Sequence, residues 1–281
     1  MKTPAFMQFT HTNPTQVLKS RLQILAALIS LTTASIAGQA AVLAHWNFNE
    51  SSGTVANDGV GSYSGTLSPN GSAFVSGGIS GNAISLDRAA NGFVNMGNVL
   101  GLTLGNFSVV AWMKMNAGDT SPDTVILGKH QTFSNNGYFI AVNATGGGGQ
   151  VNKAIFYEGT IAGAPVSSTS VNDGAWHQII AVYQAGGNKS IYVDGTPAES
   201  TRASQVFLAN SSPFLIGGTG VIPEGRYTGL IDEVQIYNEA LSPTAVNFLF
   251  QNPNQVVPEP GGVAMMSIGV AIIAAMRRCR G

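Results

Sequence analysis

From residue 41 to residue 250 the apolar residues come in short runs, cut apart by clusters of Gly, Asn, Ser and Asp, with no long helical pattern between them. Such a chain has to bury its hydrophobic side chains on many short strands. The clearest run is Phe107 to Met115. There Phe107, Val109, Ala111, Met113 and Met115 alternate with Ser108, Val110, Trp112 and Lys114, so each set lies on one face of a strand. Further strands are expected over 42–48, 83–87, 92–96, 124–129, 138–142, 153–157, 176–183, 191–193, 213–217 and 227–237. The pair Asp194-Gly195 marks a turn. Roughly twelve to fourteen strands without a long helix predict an all-β, antiparallel two-sheet sandwich.

One of these strands carries a problem. In Gly229-Leu230-Ile231-Asp232-Glu233-Val234-Gln235-Ile236-Tyr237, strict alternation sets Leu230, Asp232, Val234 and Ile236 on one face. A carboxylate among three aliphatic side chains needs a cation or several backbone N–H donors. Beyond the strand, Ser242 and Pro243 read as N-cap and first residue of a short helix ending near Phe250.

The ends of the chain have a different character. Lys19 and Arg21 precede an apolar run from Leu22 to Ala37 and small residues around Gly38-Gln39-Ala40, the layout of a secretory signal over 1–40. Cleavage is expected after Ala40, with Ala37 and Ala44 as rivals, and an uncut anchor helix is the alternative. Residues 251–257 read as a polar linker. Pro258-Glu259-Pro260 follows, then the uncharged stretch 261–276 and Arg277-Arg278-Cys279-Arg280. The stretch is slightly short for a full membrane span, but flanking arginines reach the interface, and the basic end stays cytoplasmic.

Between these ends, residues 41–257 hold seven Lys or Arg against thirteen Asp or Glu, a net charge of −6. That argues against a nucleic-acid partner, which calls for a basic patch. The single cysteine, Cys279, lies outside this stretch, so the fold must hold by packing, with or without a metal.

The tail resembles the PEP-CTERM sorting signal of Gram-negative bacteria, with Pro258, Glu259 and Pro260, one hydrophobic span, and Arg277 and Arg278 in the same order. The resemblance implies an exosortase-type transpeptidase as partner, transient residence in the inner membrane, and delivery to the cell surface or an extracellular polysaccharide matrix. An ordinary tail anchor is the alternative.

The middle resembles the laminin-G-like jelly roll of the concanavalin A-like lectin/glucanase group. The matching pieces are His45-Trp46-Asn47-Phe48-Asn49-Glu50, Gly81-Asn82-Ala83-Ile84-Ser85-Leu86-Asp87, the Phe107 strand and Asp173-Gly174-Ala175-Trp176-His177-Gln178. Ile191-Tyr192-Val193-Asp194-Gly195, Phe214-Leu215-Ile216-Gly217-Gly218 and the Asp232 strand complete them. The resemblance implies one domain over 41–250, often with a calcium ion, whose relatives bind glycans or proteins. Asn49 stands where family members often carry an acid, and the usual acidic loop is reduced to Asn57-Asp58-Gly59-Val60-Gly61.

Two accounts of Asp232 follow. In one, Asp232, Asp58, Asn49 and carbonyls near Gly61 hold one structural Ca²⁺, which takes six to eight oxygens. In the other, Asp232 accepts backbone N–H groups and locks the N-terminal loop to the last strand. Trp46, Trp112 and Trp176 are expected in the framework, whereas Tyr63, Phe133, Tyr138 and Tyr157 are candidates for sugar contact. His45, His130 and His177 lack zinc spacing, and His177 is expected to make a structural hydrogen bond. Asp232 and Glu233 are adjacent, so as strand neighbours they do not form a glycosidase pair. No Gly-x-Ser-x-Gly elbow is present. The expected function is therefore non-catalytic: an extracellular glycan-binding or adhesion module. The alternatives are a purely structural matrix protein and a polysaccharide-active hydrolase or lyase.

Overall fold

The computed structural model describes residues 41–258, except 104, 132–135, 146–149, 160–162, 196 and 221–224. The chain divides into two units, Met1–Gly38 and Gln39–Gly281. The signal expected over 1–40, the motif residues Glu259 and Pro260, the span 261–276 and Arg277 and Arg278 lie outside the described residues. Pro258 is described and exposed. Among the described residues no helix is long and apolar enough to cross a membrane.

In chain order the strands are β1 (Val42–Trp46), β2 (Val55–Ala56), β3 (Gly65–Leu67), β4 (Ser72–Ser76), β5 (Asn82–Leu86), β6 (Val94–Asn95), β7 (Phe107–Met115) and β8 (Thr124–His130). Then come β9 (Gly137–Val142), β10 (Lys153–Glu158), β11 (Val166–Ser170), β12 (His177–Tyr183), β13 (Asn188–Val193), β14 (Ser200–Ala203), β15 (Leu215–Ile216) and β16 (Gly229–Tyr237). A helix, α1 (Pro243–Gln251), follows. The strands form two eight-stranded antiparallel sheets. The first runs β14-β13-β12-β7-β16-β5-β4, with β1 also paired to β16; the second runs β11-β10-β9-β8-β15-β6-β3-β2. This is the expected two-sheet sandwich. Among the described residues the strands exceed the expected number because β2, β3, β4, β11 and β14 are short or rich in Gly, Ser and Thr, so no apolar period marks them.

The main core fills the space between the sheets. Trp46 stacks on Phe214 at 5.8 Å, and Phe107 meets Tyr138 at 4.9 Å and Tyr183 at 5.0 Å. β7 presents Phe107, Val109, Ala111, Met113 and Met115 to this core, as its alternation requires. Its opposite face is buried too. Val110 joins Ile180, Tyr192, Tyr237, Val246 and Leu249 in a second cluster that includes α1, while Trp112 stacks on Phe250 at 5.7 Å. The helix begins as expected, with the Ser242 hydroxyl accepting from the Ala245 amide and Pro243 in the first turn.

Inside the sandwich one ion pair joins the sheets. Lys189 Nζ on β13 donates to Glu158 Oε2 on β10 at 2.5 Å, and both side chains are fully buried. Burial pushes the Glu158 carboxyl up, against the pull of Lys189. The pair spans two sheets, so removing one partner strands the other charge. Lys189→Met is expected to destabilise the protein by roughly 3–5 kcal/mol, while Lys189→Met combined with Glu158→Leu recovers a large part. Urea unfolding of the two variants measures the difference.

Candidate functional site

The site is built around a break in β16. The ladder to β7 shifts between Asp232 and Gln235, and Glu233 has φ 48°, a left-handed conformation unusual for a non-glycine residue. The extra residue reverses the alternation. Ile231, Val234 and Ile236 all reach the main core, whereas Leu230 is only half-buried and pairs across with Lys114. The expected face of Leu230, Asp232, Val234 and Ile236 is therefore corrected: a bulge separates its two halves.

The bulge lies where β16 changes partner. Gly229, Leu230 and Ile231 pair with β5, and Val234 to Tyr237 pair with β1. Asp232, fully buried, falls between the two. Its Oδ2 accepts from the Ser80 amide at 3.2 Å, and its Oδ1 accepts from Glu233 N at 2.8 Å. Burial pushes the Asp232 carboxyl up to about 8, with the neighbouring Glu233 charge adding to the effect. The same loop is held from its other side by Asn49, whose Oδ1 accepts from Asn82 N at 2.8 Å. Two glycines permit this approach. A Cβ on Gly78 would lie 2.2 Å from the Asn82 carbonyl oxygen and 2.5 Å from Asp232 Oδ2; one on Gly81 would lie 2.1 Å from Asn49 Oδ1.

Asp58 closes a different loop. Its Oδ1 accepts from the amides of His45, Val60 and Gly61, and its Oδ2 from that of Tyr63, each at 3.0 Å. Burial opposes ionisation here, but the four amides outweigh it and hold the carboxyl below its ordinary value. Gly61 thus contributes its N–H to Asp58. The His45 ring contacts Glu233 Oε2 at 2.5 Å. The first loop is consequently tied to the closing strand through His45 and Glu233, while Asp232 holds the Ile79 and Ser80 amides and Asn49 holds Asn82. Asn49 and Asp232 converge; Asp58 and Gly61 form a separate anion-capped turn.

Sequence reasoning did not single out Glu50, Asn82 or the contact of His45 with Glu233. Asn82 Nδ2 donates to the Glu50 carbonyl oxygen at 3.1 Å. Glu50 Oε1 accepts from Asn57 N and Nδ2, whereas its buried Oε2 has no hydrogen-bond partner. The pair Gly78 and Gly81 ahead of Asn82 was the available signal, since spaced glycines mark close backbone approach. Among the described residues no group of three or more His, Cys, Asp or Glu side chains is placed to hold a metal. A cation here would have to draw on amide and carbonyl oxygens as well.

The other candidates separate cleanly. His177 Nδ1 contacts Asp194 Oδ2 at 2.7 Å and Nε2 contacts Asp173 Oδ1 at 3.1 Å, so the ring joins the start of β12 to the turn at Asp194-Gly195. Asp194 first, then Asp173, raises its pKa against the effect of burial. Trp46 lies in the core and Trp176 is half-buried. Tyr138 and Tyr157, expected to be available to sugar, are buried. Tyr138 points into the core with its hydroxyl donating to the Leu100 carbonyl oxygen, and Tyr157 packs on Phe139 at 4.4 Å. Tyr63 is half-buried against the core, and Phe133 lies outside the described residues.

The raised pKa of Asp232 has a pH signature. A carboxyl that binds its proton more tightly folded than unfolded contributes stability that is complete below pH ~4 and lost as pH rises through about 8. In the presence of chelator the melting temperature should therefore decline across that window, and Asp232→Asn should remove Asp232's share of the decline. Thermal melts of both proteins from pH 4 to 9 check this.

Residues 87–247 match a family model described as the concanavalin A-like lectin/glucanases superfamily. A search of curated proteins finds no match. Among solved structures, domain 4 of AbnA, a GH43 extracellular arabinanase from Geobacillus stearothermophilus solved in complex with arabinotriose, is 19% identical. The match has a TM-score of 0.58 and covers 76% of this chain and 100% of that domain. The binding domain of Paraclostridial Mosquitocidal Protein 1 is 16% identical with a TM-score of 0.55, over 74% of this chain and 51% of that one. Trypanosoma rangeli sialidase, solved with the inhibitor DANA, is 14% identical with a TM-score of 0.56, over 88% of this chain and 40% of the sialidase. At these identities the structural likenesses speak for the fold alone, and the fold is shared by glycosidases and by non-catalytic binding domains. The family match covers more than half of the sequence, and the chain belongs to the concanavalin A-like lectin/glucanases superfamily.

Proposed function

We propose that this protein is an exported, non-catalytic carbohydrate-binding or adhesion module. The carrying observation is the likeness to domain 4 of the arabinanase, which extends over that whole domain, a unit solved with a bound arabinose oligosaccharide. The disposition of carboxylates supports the non-catalytic part. Asp58 is spent on four backbone amides, Glu158 on Lys189 and the Gln205 amide, and Asp194 on His177 and the Gln178 amide. Glycoside hydrolysis needs two carboxyl groups free to face one bond.

The tail motif supports export and sorting. On this reading an exosortase-type transpeptidase recognises Pro258, Glu259 and Pro260 while the following span is in the inner membrane. The protein then passes to the surface or the extracellular polysaccharide matrix of a Gram-negative bacterium. Calcium belongs to the same reading. Asp232 is a fully buried carboxyl that accepts from the Ser80 and Glu233 amides, Asn49 holds the same loop, and Glu50 Oε2, nearby in sequence, is buried without a hydrogen-bond partner among the described residues. These oxygens suit a hard divalent ion. Asp232 and Asn49 with loop carbonyls would hold it, and Asp58 and Gly61 would brace the adjoining turn.

Two measurements test the reading. A glycan array probed with and without chelator should show selective binding that weakens when calcium is removed; a silent array would favour a purely structural matrix protein. Incubation with the bound polysaccharide should release no reducing sugar, and release would identify an enzyme. For sorting, replacing Pro258-Glu259-Pro260 by alanines should leave the protein in the membrane fraction instead of the medium or matrix.

A further inference from the structure

The edge strands of the two sheets, β11 and β14, meet along one side of the sandwich. Each pairs with only one neighbour, β11 with β10 and β14 with β13. Glu199, just ahead of β14, bridges them: its Oε2 accepts from the amides of Ser168 at 2.6 Å and Thr169 at 2.8 Å, and its Oε1 accepts from the Thr169 hydroxyl. Above this bridge lies a groove of about 720 Å³, lined by Lys153, Ser167, Ser168, Glu199, Ser200 and Arg202 among others. That size suits a small-molecule or oligosaccharide ligand.

The charge of the groove runs against that of the domain. Arg202 pairs across with Lys189 on β13, so it lies on the face turned toward the other sheet. Lys189 has its counter-ion in Glu158, and among the described residues Arg202 has none. Among the described residues the Arg202 guanidinium finds one acceptor, the Thr201 carbonyl oxygen, reached by Nη1 at 2.9 Å. Lys153 Nζ donates to the Ser168 carbonyl oxygen and to Ser170 Oγ at 3.2 Å, again without a carboxylate. Glu199, the one acid in the lining, has both oxygens engaged by β11. Two cations and one carboxylate therefore line the concavity, a net positive charge in a domain of net charge −6, and neither cation is ion-paired with that carboxylate among the described residues.

Among the described residues the lining has no aromatic side chain on which a sugar ring could stack. Recognition has to come from charge and hydrogen bonds. A ligand that supplies a carboxylate to the two cations and hydroxyls to the serine-lined walls meets both conditions. We propose that this groove binds an acidic, uronate-bearing polysaccharide, with Arg202 and Lys153 pairing a sugar carboxylate and the Ser168 and Ser200 hydroxyls meeting the ring hydroxyls. The proposal rests on the glycan-binding reading above and adds to it a place and a sugar class.

The test is affinity electrophoresis of the full-length chain in gels containing polygalacturonate or neutral arabinan, at low and raised salt. Polygalacturonate should retard the protein, less so as salt rises. Arg202→Gln and Lys153→Gln should each weaken that binding roughly tenfold, as loss of one charge-assisted contact implies. Lys114→Gln removes an equal charge on β7, outside the groove lining, and should leave the binding unchanged. Equal retardation of wild type, Arg202→Gln and Lys153→Gln would overturn the assignment, as would a loss in Lys114→Gln as large as theirs. Retardation by arabinan without retardation by polygalacturonate would overturn the groove but keep the glycan-binding function. No retardation in either gel, with a silent glycan array, would overturn both.

Discussion

The fold depends on how one strand serves three neighbours. β16 pairs with β7 along one side, and on its other side with β5 and then β1. Two strands placed end to end leave a gap, and unpaired backbone in a gap is costly unless something satisfies it. The bulge at Asp232 and Glu233 lies at that junction. Asp232 turns to the loop ahead of β5, and Glu233 turns to His45 on β1. A left-handed Glu233 costs of order 1 kcal/mol or more in backbone strain, which the hydrogen bonds of the junction offset. Without the bulge, every side chain beyond it would face the wrong way, since a one-residue slip exchanges the two faces of a strand.

Carboxylates are used across the domain in a consistent manner. Asp58 caps a turn, Asp232 fills a junction, Asp194 fixes His177, and Glu199 covers the free amides of an edge strand. Each accepts from backbone N–H groups that would otherwise be unpaired. Exposed strand edges invite pairing with other chains, and Glu199 blocks part of one. The only cysteine is Cys279, so no disulfide can take over these tasks within residues 41–258. Packing between sheets and side-chain-to-backbone bonds at the loops carry the stability instead.

Much of this was legible in the sequence. β7 was found at its observed bounds because alternation is strict through nine residues. The cap of α1 was visible in Ser242 and Pro243, and the turn at Asp194-Gly195 in its residue types. The bulge was not legible. Its left-handed residue is a glutamate, so composition gave no warning, and only the partner change from β5 to β1 explains it. The same bulge turns Asp232 away from the first loop and toward the Ile79 and Ser80 amides. Tyr157 is buried because a residue on the outer face of a sheet is exposed only if no loop covers it, and Phe139 and Ala164 pack in one cluster with it. The groove drew no attention from sequence because its cations come from separate strands, β10 and β14, brought together only by the meeting of the sheet edges.

The pairing of the first and last strands also decides how the domain answers to tension. Ala41 N donates to Asn238 Oδ1 at 3.1 Å, Asn238 N donates to the Ala41 carbonyl oxygen at 3.2 Å, and Val257 N donates to the Tyr237 hydroxyl at 3.1 Å. Residues 41 and 257 therefore attach to the same end of one antiparallel pair. A pull applied between those points would load the hydrogen bonds of β1 and β16 one after another, as a zip opens, instead of shearing them together. The sandwich then hangs beside the line of force, and the pull reaches it through β1 and through α1, whose packing on Val110, Ile180 and Tyr192 has to yield as well.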